Sequence, residues 1–346
     1  MVAKLLTTSI AAPGFQGVNT QDSSVTLESG FATVANNCVI DKFGRIGARK
    51  GWLAQHVTNT DLGSNYVESL GELIANNGTS YTIAAGNNKL FRLNGSTFTM
   101  LTYGGGGSAP TITANNWQMV GLNGILYLYQ SGHDPLVYDP ATSTSTYRRV
   151  SEVTGYVGTV QQSACAVSAY GRVWTASTSS NKSLIQFSDL LAGYVVSTGT
   201  AGTLDVSQIW PDGVDEIMAL AAHNGFLVVF GKRQILIYSN PQDPNALTLQ
   251  DAITGVGCFA RDSVVSTGTD IVFLSDGGVR SLQRVIQEKS APLRDLSANV
   301  RDDLLAAISI ETNAANIKAI HSDKEGFYLL VLPTAGVLYC FDIRVT

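Results

Sequence analysis

Residues 116–150 read NWQMVGLNGILYLYQSGHDPLVYDPATSTSTYRRV. Four short strands follow one another here, at 117–122, 125–130, 135–139 and 147–150. Asn123-Gly124 joins the first two, and a Thr/Ser-rich turn joins the last two. Asn-Gly between two apolar runs signals a hairpin, because a type I′ turn needs positive φ at both central residues. A lone four-stranded meander leaves its faces wet. It needs neighbours of its own kind.

Further units of this kind are present. Residues 71–103 contain ELIANNG, SYTIAAG, KLFRLNG and TFTMLTY, and residues 217–253 contain IMALAAHNG, FLVVFG, QILIYS and LTLQDAI. Residues 164–209, 263–283 and 317–343 repeat the same order of short apolar runs and turns. The glycines at or near the first turn of each unit are Gly78, Gly124, Gly171, Gly225, Gly268 and Gly326. The result is a degenerate repeat of about 45 residues with four strands per unit, the range of propeller blades. The expected fold is all-β: a six-bladed β-propeller with four-stranded blades, since six units at this period close a ring without leftover chain. A long β-sandwich or a solenoid is the alternative. The expected blades lie near 67–103, 115–150, 163–209, 215–253, 261–308 and 315–346, within a propeller spanning 57–346. Residues 1–56 are expected to form an N-terminal arm and a closing strand.

Composition bounds the function. Of 346 residues, 34 are glycine, and 14% are charged, against about 25% in an average globular domain. Apolar runs such as 226–230 have strand length and fall far short of the roughly 20 residues of a membrane helix, so this chain is not expected to insert in a membrane. The start, MVAKLLTTSIAAPGF, carries one lysine and a very short apolar stretch, which is not the expected build of a signal peptide. Cys38, Cys165, Cys258 and Cys340 lie far apart with no CxxC. They read as small hydrophobes in a reducing cytoplasm, not as zinc or redox motifs. A net charge of −5 argues against a general nucleic-acid binder, whose footprint is a basic patch.

Other stretches refine the plan. The last unit shows three obvious strands, and the segment 45–54 has no local partner. Part of 45–54 is therefore expected beside 337–343, closing the ring and covering its edge; a simple N-terminal hairpin is the alternative. GGGGSAP at 104–110 is a flexible connector, and without GK[ST] or a following helix it is no phosphate loop. One helix is expected at 292–308, inserted in the fifth unit. Leu293, Leu296, Val300, Leu304 and Ile308 share a face, Pro292 sits in the first turn, and Asp295, Arg301, Asp302 and Asp303 take the wet side.

Catalytic or metal chemistry has little to stand on. His56, His133, His223 and His321 occur singly, without ligand spacing. Asp134, Asp139, Asp189, Asp276 and Asp342 end second or third strands; converging at a channel mouth they could bind calcium or act as acid and base. An Asp in a turn already has a local role, because its side chain bonds the following backbone, and that reading is favoured. Ser275-Asp276-Gly277-Gly278 resembles the Asp-box turn of sialidases only in part, lacking its aromatic residue and its repetition across blades. No catalytic residue, metal site or cofactor is expected.

The opening phrase GFQGVNTQDSSVTLESGFATVANNCVIDKFGRIGARKGW, residues 14–52, is similar to the start of tail tubular protein B, the nozzle proteins of short-tailed bacteriophages. The matching residues are Gly14, Phe15, Gly17, Asn19, Asn36, Asn37, Gly44, Arg49 and Gly51. The resemblance implies a propeller subunit, six copies of which form the distal tail tube below an adaptor ring. Tail fibres or spikes would be its neighbours, duplex DNA would pass through without being held, and the protein would reside in the virion tail after assembly in the bacterial cytoplasm. Weak acidity suits such a conduit, because each neutralised phosphate adds affinity through counterion release. Asp134, Asp139 and Asp276 are candidates to face DNA or a neighbouring subunit. The competing classes are a propeller glycosidase or lyase acting on bacterial surface glycans, and a propeller scaffold for protein contacts.

Overall fold

The computed structural model describes residues 14–40, 45–51, 53, 59–289 and 295–344. Six small antiparallel sheets stand in a ring, the arrangement of a six-bladed β-propeller. Their innermost strands are Ser69–Ile74, Gln118–Leu122, Ser163–Ala169, Ile217–His223, Val265–Ser266 and Lys318–Ser322. Blades 1, 3 and 4 have four strands. Blade 2 has five, because Thr102–Tyr103, expected within blade 1, pairs parallel with Thr146–Arg149 on the outside of blade 2. Blades 5 and 6 have three each among the described residues.

The second strand of each blade explains the apolar runs of the sequence. In blades 3, 4 and 5 it lies between two neighbouring blades, so both of its faces are covered, and alternation gives way to continuous hydrophobicity. In Phe226–Gly231, Leu227 and Val229 pack toward Trp174 and Ile185 of blade 3. Val228 and Phe230 pack toward Ile271 and Phe273 of blade 5, with the Phe230 and Phe273 rings 5.0 Å apart. Each fully buried side chain of this size contributes about 2 kcal/mol of transfer free energy. Similar wedges join blades 1 to 2, 2 to 3 and 5 to 6. Among the described residues no buried cluster joins blade 6 to blade 1. Leu70, Ile74 and Ile320, which alternate with the core-facing Leu73 and Ala319, are 64, 67 and 61% exposed.

The turns carry the left-handed backbone that tight hairpins need. Asn123 and Gly124 have φ of 50° and 76°, and Asn224 and Gly225 have 48° and 83°. Gly78, Gly171, Gly268 and Gly326 also have positive φ. At Asn123-Gly124 the register Leu122↔Ile125 leaves two residues in the loop, the length for which positive φ at both positions matches the strand twist.

Two expectations are corrected. Ile46–Ala48 pairs with Cys38–Ile40 as an N-terminal hairpin, and the described residues of 45–54 form no ladder with 337–343. Among the described residues Val337–Asp342 has one ladder partner, Phe327–Leu332. The hairpin still reaches blade 6, because Lys50 Nζ lies 2.7 Å from Glu325 Oε1. The expected helix at 292–308 is shorter and later. Residues 291–294 lie outside the described residues, Ala298–Val300 is a single 3₁₀ turn, and the α-helix spans Arg301–Ile310. The reason is that the segment before it is extended along blade 5: Leu296 N donates to Val279 O at 3.0 Å, and Val279 N donates to Ser297 Oγ at 3.0 Å. Asp295, expected on the wet side, is buried there, accepting from Ser297 Oγ at 2.9 Å and paired with Arg301. A second α-helix, Leu282–Glu288, follows the third strand of blade 5 and was not expected.

Candidate functional site

Two regions gather polar side chains from distant parts of the chain. The first is the N-terminal arm that carries the family-like phrase. Gly17, at φ 123°, begins the short parallel pairing of Gly17–Val18 with Phe31–Ala32. Asn19 is buried just beyond it. Its Oδ1 accepts from the backbone of Gln21 at 3.0 Å and Asp22 at 3.2 Å, and its Nδ2 donates to Asp22 Oδ2 at 2.8 Å. Thr20 N donates to Asn299 O at 2.9 Å, and with its side-chain amide turned to satisfy both groups Gln21 donates to Asp302 Oδ2 at 3.2 Å and accepts from Asp302 N at 3.1 Å. The arm is thereby fastened to the start of the helix Arg301–Ile310 in blade 5. Asn37, at φ 55°, turns the chain into the hairpin, and its Oδ1 accepts from Arg49 Nε at 2.9 Å. Gly14 has a positive φ of 88°, Phe15 is half-buried, Asn36 and Gly51 are exposed, and Gly44 lies outside the described residues.

The second region is the propeller axis, on the face where the innermost strands begin. Arg261 and Asp262 precede the first strand of blade 5, in the 3₁₀ turn Arg261–Ser263. Their side chains pair bidentately at 2.7 and 2.9 Å. Arg261 also reaches Ala164 O of blade 3 at 2.7 Å and Asn116 O at the entry to blade 2 at 3.0 Å. Lys318, the first residue of the innermost strand of blade 6, donates to Asp262 Oδ2 at 2.5 Å and to Asn116 Oδ1. Four blades are thus bonded across the axis, which is bridged at this end by side chains. Burial works to raise the Asp262 carboxyl, but the Arg261 guanidinium and Lys318 ammonium outweigh it and hold it below the ordinary carboxylate value. Burial draws the Lys318 ammonium down, with Asp262 opposing. The opposite preferences of the pair follow from two cations sharing one carboxylate.

The five strand-end aspartates do not converge. Asp134 pairs with Arg149 at 3.0 Å, Asp139 with Arg148 at 3.0 Å, and Asp342 with Arg344. Asp189 accepts from Thr200 N and Oγ1 at 3.0 and 2.7 Å. Asp276 is exposed. Asp139 and Asp342 also accept from the backbone of their own turns, whereas Asp134 bridges to Gln162 at the entry to blade 3. The histidines are local: His133 Nε2 lies 2.9 Å from Thr113 Oγ1, His223 meets Asn224, and His321 pairs with Asp323, while His56 lies outside the described residues. Among the described residues no three His, Cys, Asp or Glu side chains group as metal ligands, and no helix is long and apolar enough to cross a membrane.

Arg261, Lys318 and Asn116 escaped the sequence reading. The signal was there: a charged residue stands at the entry to the innermost strand in both of the last two units, and only aligning the repeats puts the two at one level of the axis.

No protein-family model and no curated protein matches this chain. Among solved structures it is similar to PorZ, a bacterial surface component of the type-IX secretion system of Porphyromonas gingivalis, at 16% identity over 65% of this chain and 28% of that one, with a TM-score of 0.36. It is similar to the extracellular domain of a putative hybrid two-component system from B. thetaiotaomicron, at 15% identity over 67% and 30%, with a TM-score of 0.37. It is also similar to the Neurospora crassa Pan2 WD40 domain, at 10% identity over 72% and 68%, with a TM-score of 0.40. The chain spans less than a third of the length of the first two. At these scores the likenesses carry nothing about function.

Proposed function

We propose that this chain is a structural scaffold that works by contact rather than catalysis, and that it is a subunit of the tail nozzle of a short-tailed bacteriophage. In this reading six copies form a ring below an adaptor ring, contact tail fibres or spikes, and let duplex DNA leave the virion. The observation that carries the reading is the N-terminal arm. The segment resembling the nozzle proteins is no loose tail, since Gly17, Asn19, Asn37 and Arg49 each hold a particular turn or pairing, and Asn19 locks the turn that is tied to blade 5. A net charge of −5 supports the same reading, because a conduit must not retain a polyanion carrying one charge per roughly 1.7 Å of axis. The bridged axis adds a geometric condition: DNA would run between copies, along the axis of the ring, and not down the centre of any one propeller.

The test is native mass spectrometry and negative-stain imaging of the purified protein, with DNA binding measured at low salt. A six-fold ring with weak DNA affinity is expected. A monomer at every concentration and in particles, or tight DNA binding, would overturn the reading.

A further inference from the structure

We propose that the cleft between blades 2 and 3, on the face where the innermost strands begin, binds a neutral pyranose unit of a glycan. The cleft encloses about 370 Å³, within the roughly 300–1,000 Å³ of small-ligand sites. Its floor is apolar: Pro135, Val150 and Val160 are buried, and the half-buried Tyr156 adds a ring whose hydroxyl accepts from Val160 N at 3.3 Å. Its rim is polar, with Asp134, Arg149, Gln162, Ser179 and Ser180. An apolar floor beneath a polar rim matches a sugar ring, which offers a C–H face and a belt of hydroxyls.

The charge balance selects a neutral sugar. Arg149 is committed to the protein. Its Nε donates to Asp134 Oδ2 at 3.0 Å, its Nη1 to Tyr103 OH at 2.6 Å and its Nη2 to Ser108 O at 3.0 Å, while Glu152 Oε1 stands 3.7 Å away. Two carboxylates therefore face one guanidinium, and a phosphate or sugar acid would meet net negative charge with no cation to receive it. The Asp134 carboxylate is held in one plane by Arg149 on one oxygen and by Gln162 Nε2, at 3.1 Å, on the other. Each of its oxygens keeps acceptor capacity, and two fixed acceptors side by side suit the adjacent hydroxyls of a hexose. Ser179 and Ser180, both exposed on the opposite wall, supply hydroxyls that both donate and accept. A small open cleft of this kind binds weakly, with a Kd of about 1 mM. The proposal is independent of the ring reading, since the cleft lies wholly within one chain.

Saturation-transfer NMR with maltose, lactose and N,N′-diacetylchitobiose tests it. Transfer from the protein to at least one of these disaccharides is expected. Asp134→Ala should weaken it at least about tenfold, the cost of one hydrogen-bonded contact of this strength, and Ser180→Trp, which fills the cleft from its exposed wall, should abolish it. If Ser180→Trp fails to melt cooperatively, Gln162→Ala replaces it and should also weaken transfer. No transfer to any of the three sugars, or transfer unchanged in variants that melt like the parent, would overturn the proposal.

Discussion

Lys318, at the head of the innermost strand of blade 6, donates to Asp262 of blade 5 at 2.5 Å, and through Asn116 the same ammonium reaches blade 2. One side chain thus ties the end of the chain to its middle across the axis. Asp262→Asn would leave Arg261 and Lys318 side by side without the carboxylate they share. We expect a loss of about 2–3 kcal/mol in a chemical denaturation series, the range for removing one member of a largely desolvated pair.

The same pair sets the acid limit. The folded-state carboxyl of Asp262 lies below its ordinary value, with the adjacent cations outweighing burial. Its contribution is therefore present above the unfolded value of about 3.9 and is lost as pH falls through the lower folded value. Melting temperatures should be level from about pH 5 to 7 and fall steeply below about 4. In Asp262→Asn the part of that slope due to this group should vanish, while a slope identical to that of the parent would show that other carboxylates govern the acid transition.

Hairpin turns give a graded pair of substitutions. A Cβ added at Gly225 meets no atom within 4 Å, so the main penalty of valine there is backbone strain, about 2 kcal/mol for a β-branched residue in the left-handed region. At Gly124 an added Cβ would also lie 2.9 Å from the Asn76 side chain of blade 1. Gly124→Val should be the more destabilising, and adding Asn76→Ala should bring it level with Gly225→Val in a double-mutant comparison of melting.

The arm can be released without touching a blade. Asn19→Ala removes the acceptor of two backbone N–H groups and the donor to Asp22, a loss comparable to that of a helix N-cap, about 1 kcal/mol. Limited proteolysis should then cut within 14–35 much earlier than in the parent, with the blades intact. An unchanged cleavage pattern would mean that the contacts with Asn299 and Asp302 suffice.

Thiol labelling should sort the cysteines by position. Burial pushes the Cys165 and Cys258 thiols up to about 12, so the reactive thiolate is scarce as well as shielded. Cys38 should label first in native buffer, and Cys340 next, since it is exposed but burial of its surroundings pushes its thiol up to about 11; Cys165 and Cys258 should label only as the protein unfolds. Early loss of all four thiols would place the interior of blades 3 to 5 in exchange with solvent.

Blade number and turn positions were legible in the sequence because they rest on local rules. Asn-Gly sets its own hairpin, and a run such as FLVVFG, six residues long between turns, reads as a strand covered on both sides. The outer edges were less legible. Thr102–Tyr103 reads as the end of blade 1 until its hydrogen bonds are seen to go to blade 2. Leu296 and Val300 have helical spacing, yet the Leu296 N–H is claimed by the edge strand of blade 5, a tertiary partner that no periodicity announces. Of the candidate site, the arm was found by its phrase and the strand-end aspartates by their turns. The axial bonds were not, since Asn116, Ala164, Arg261 and Lys318 meet only once the ring is closed.

Among the described residues no buried cluster fills the joint between blades 6 and 1, and that changes how the molecule should come apart. In a ring with equal joints no blade can leave without breaking two interfaces, so unfolding has no preferred starting place. With no buried cluster at that joint among the described residues, the propeller behaves as a row of blades with two free ends, in which apolar packing links each unit to its neighbours alone and only the axial bonds of Arg261 and Lys318 reach further. Opening fluctuations should begin at the ends of that row and die out toward the middle. Amides of 318–342 and of 69–94 should exchange with solvent soonest, and those of blades 3 and 4, between Trp174 and Phe230, last.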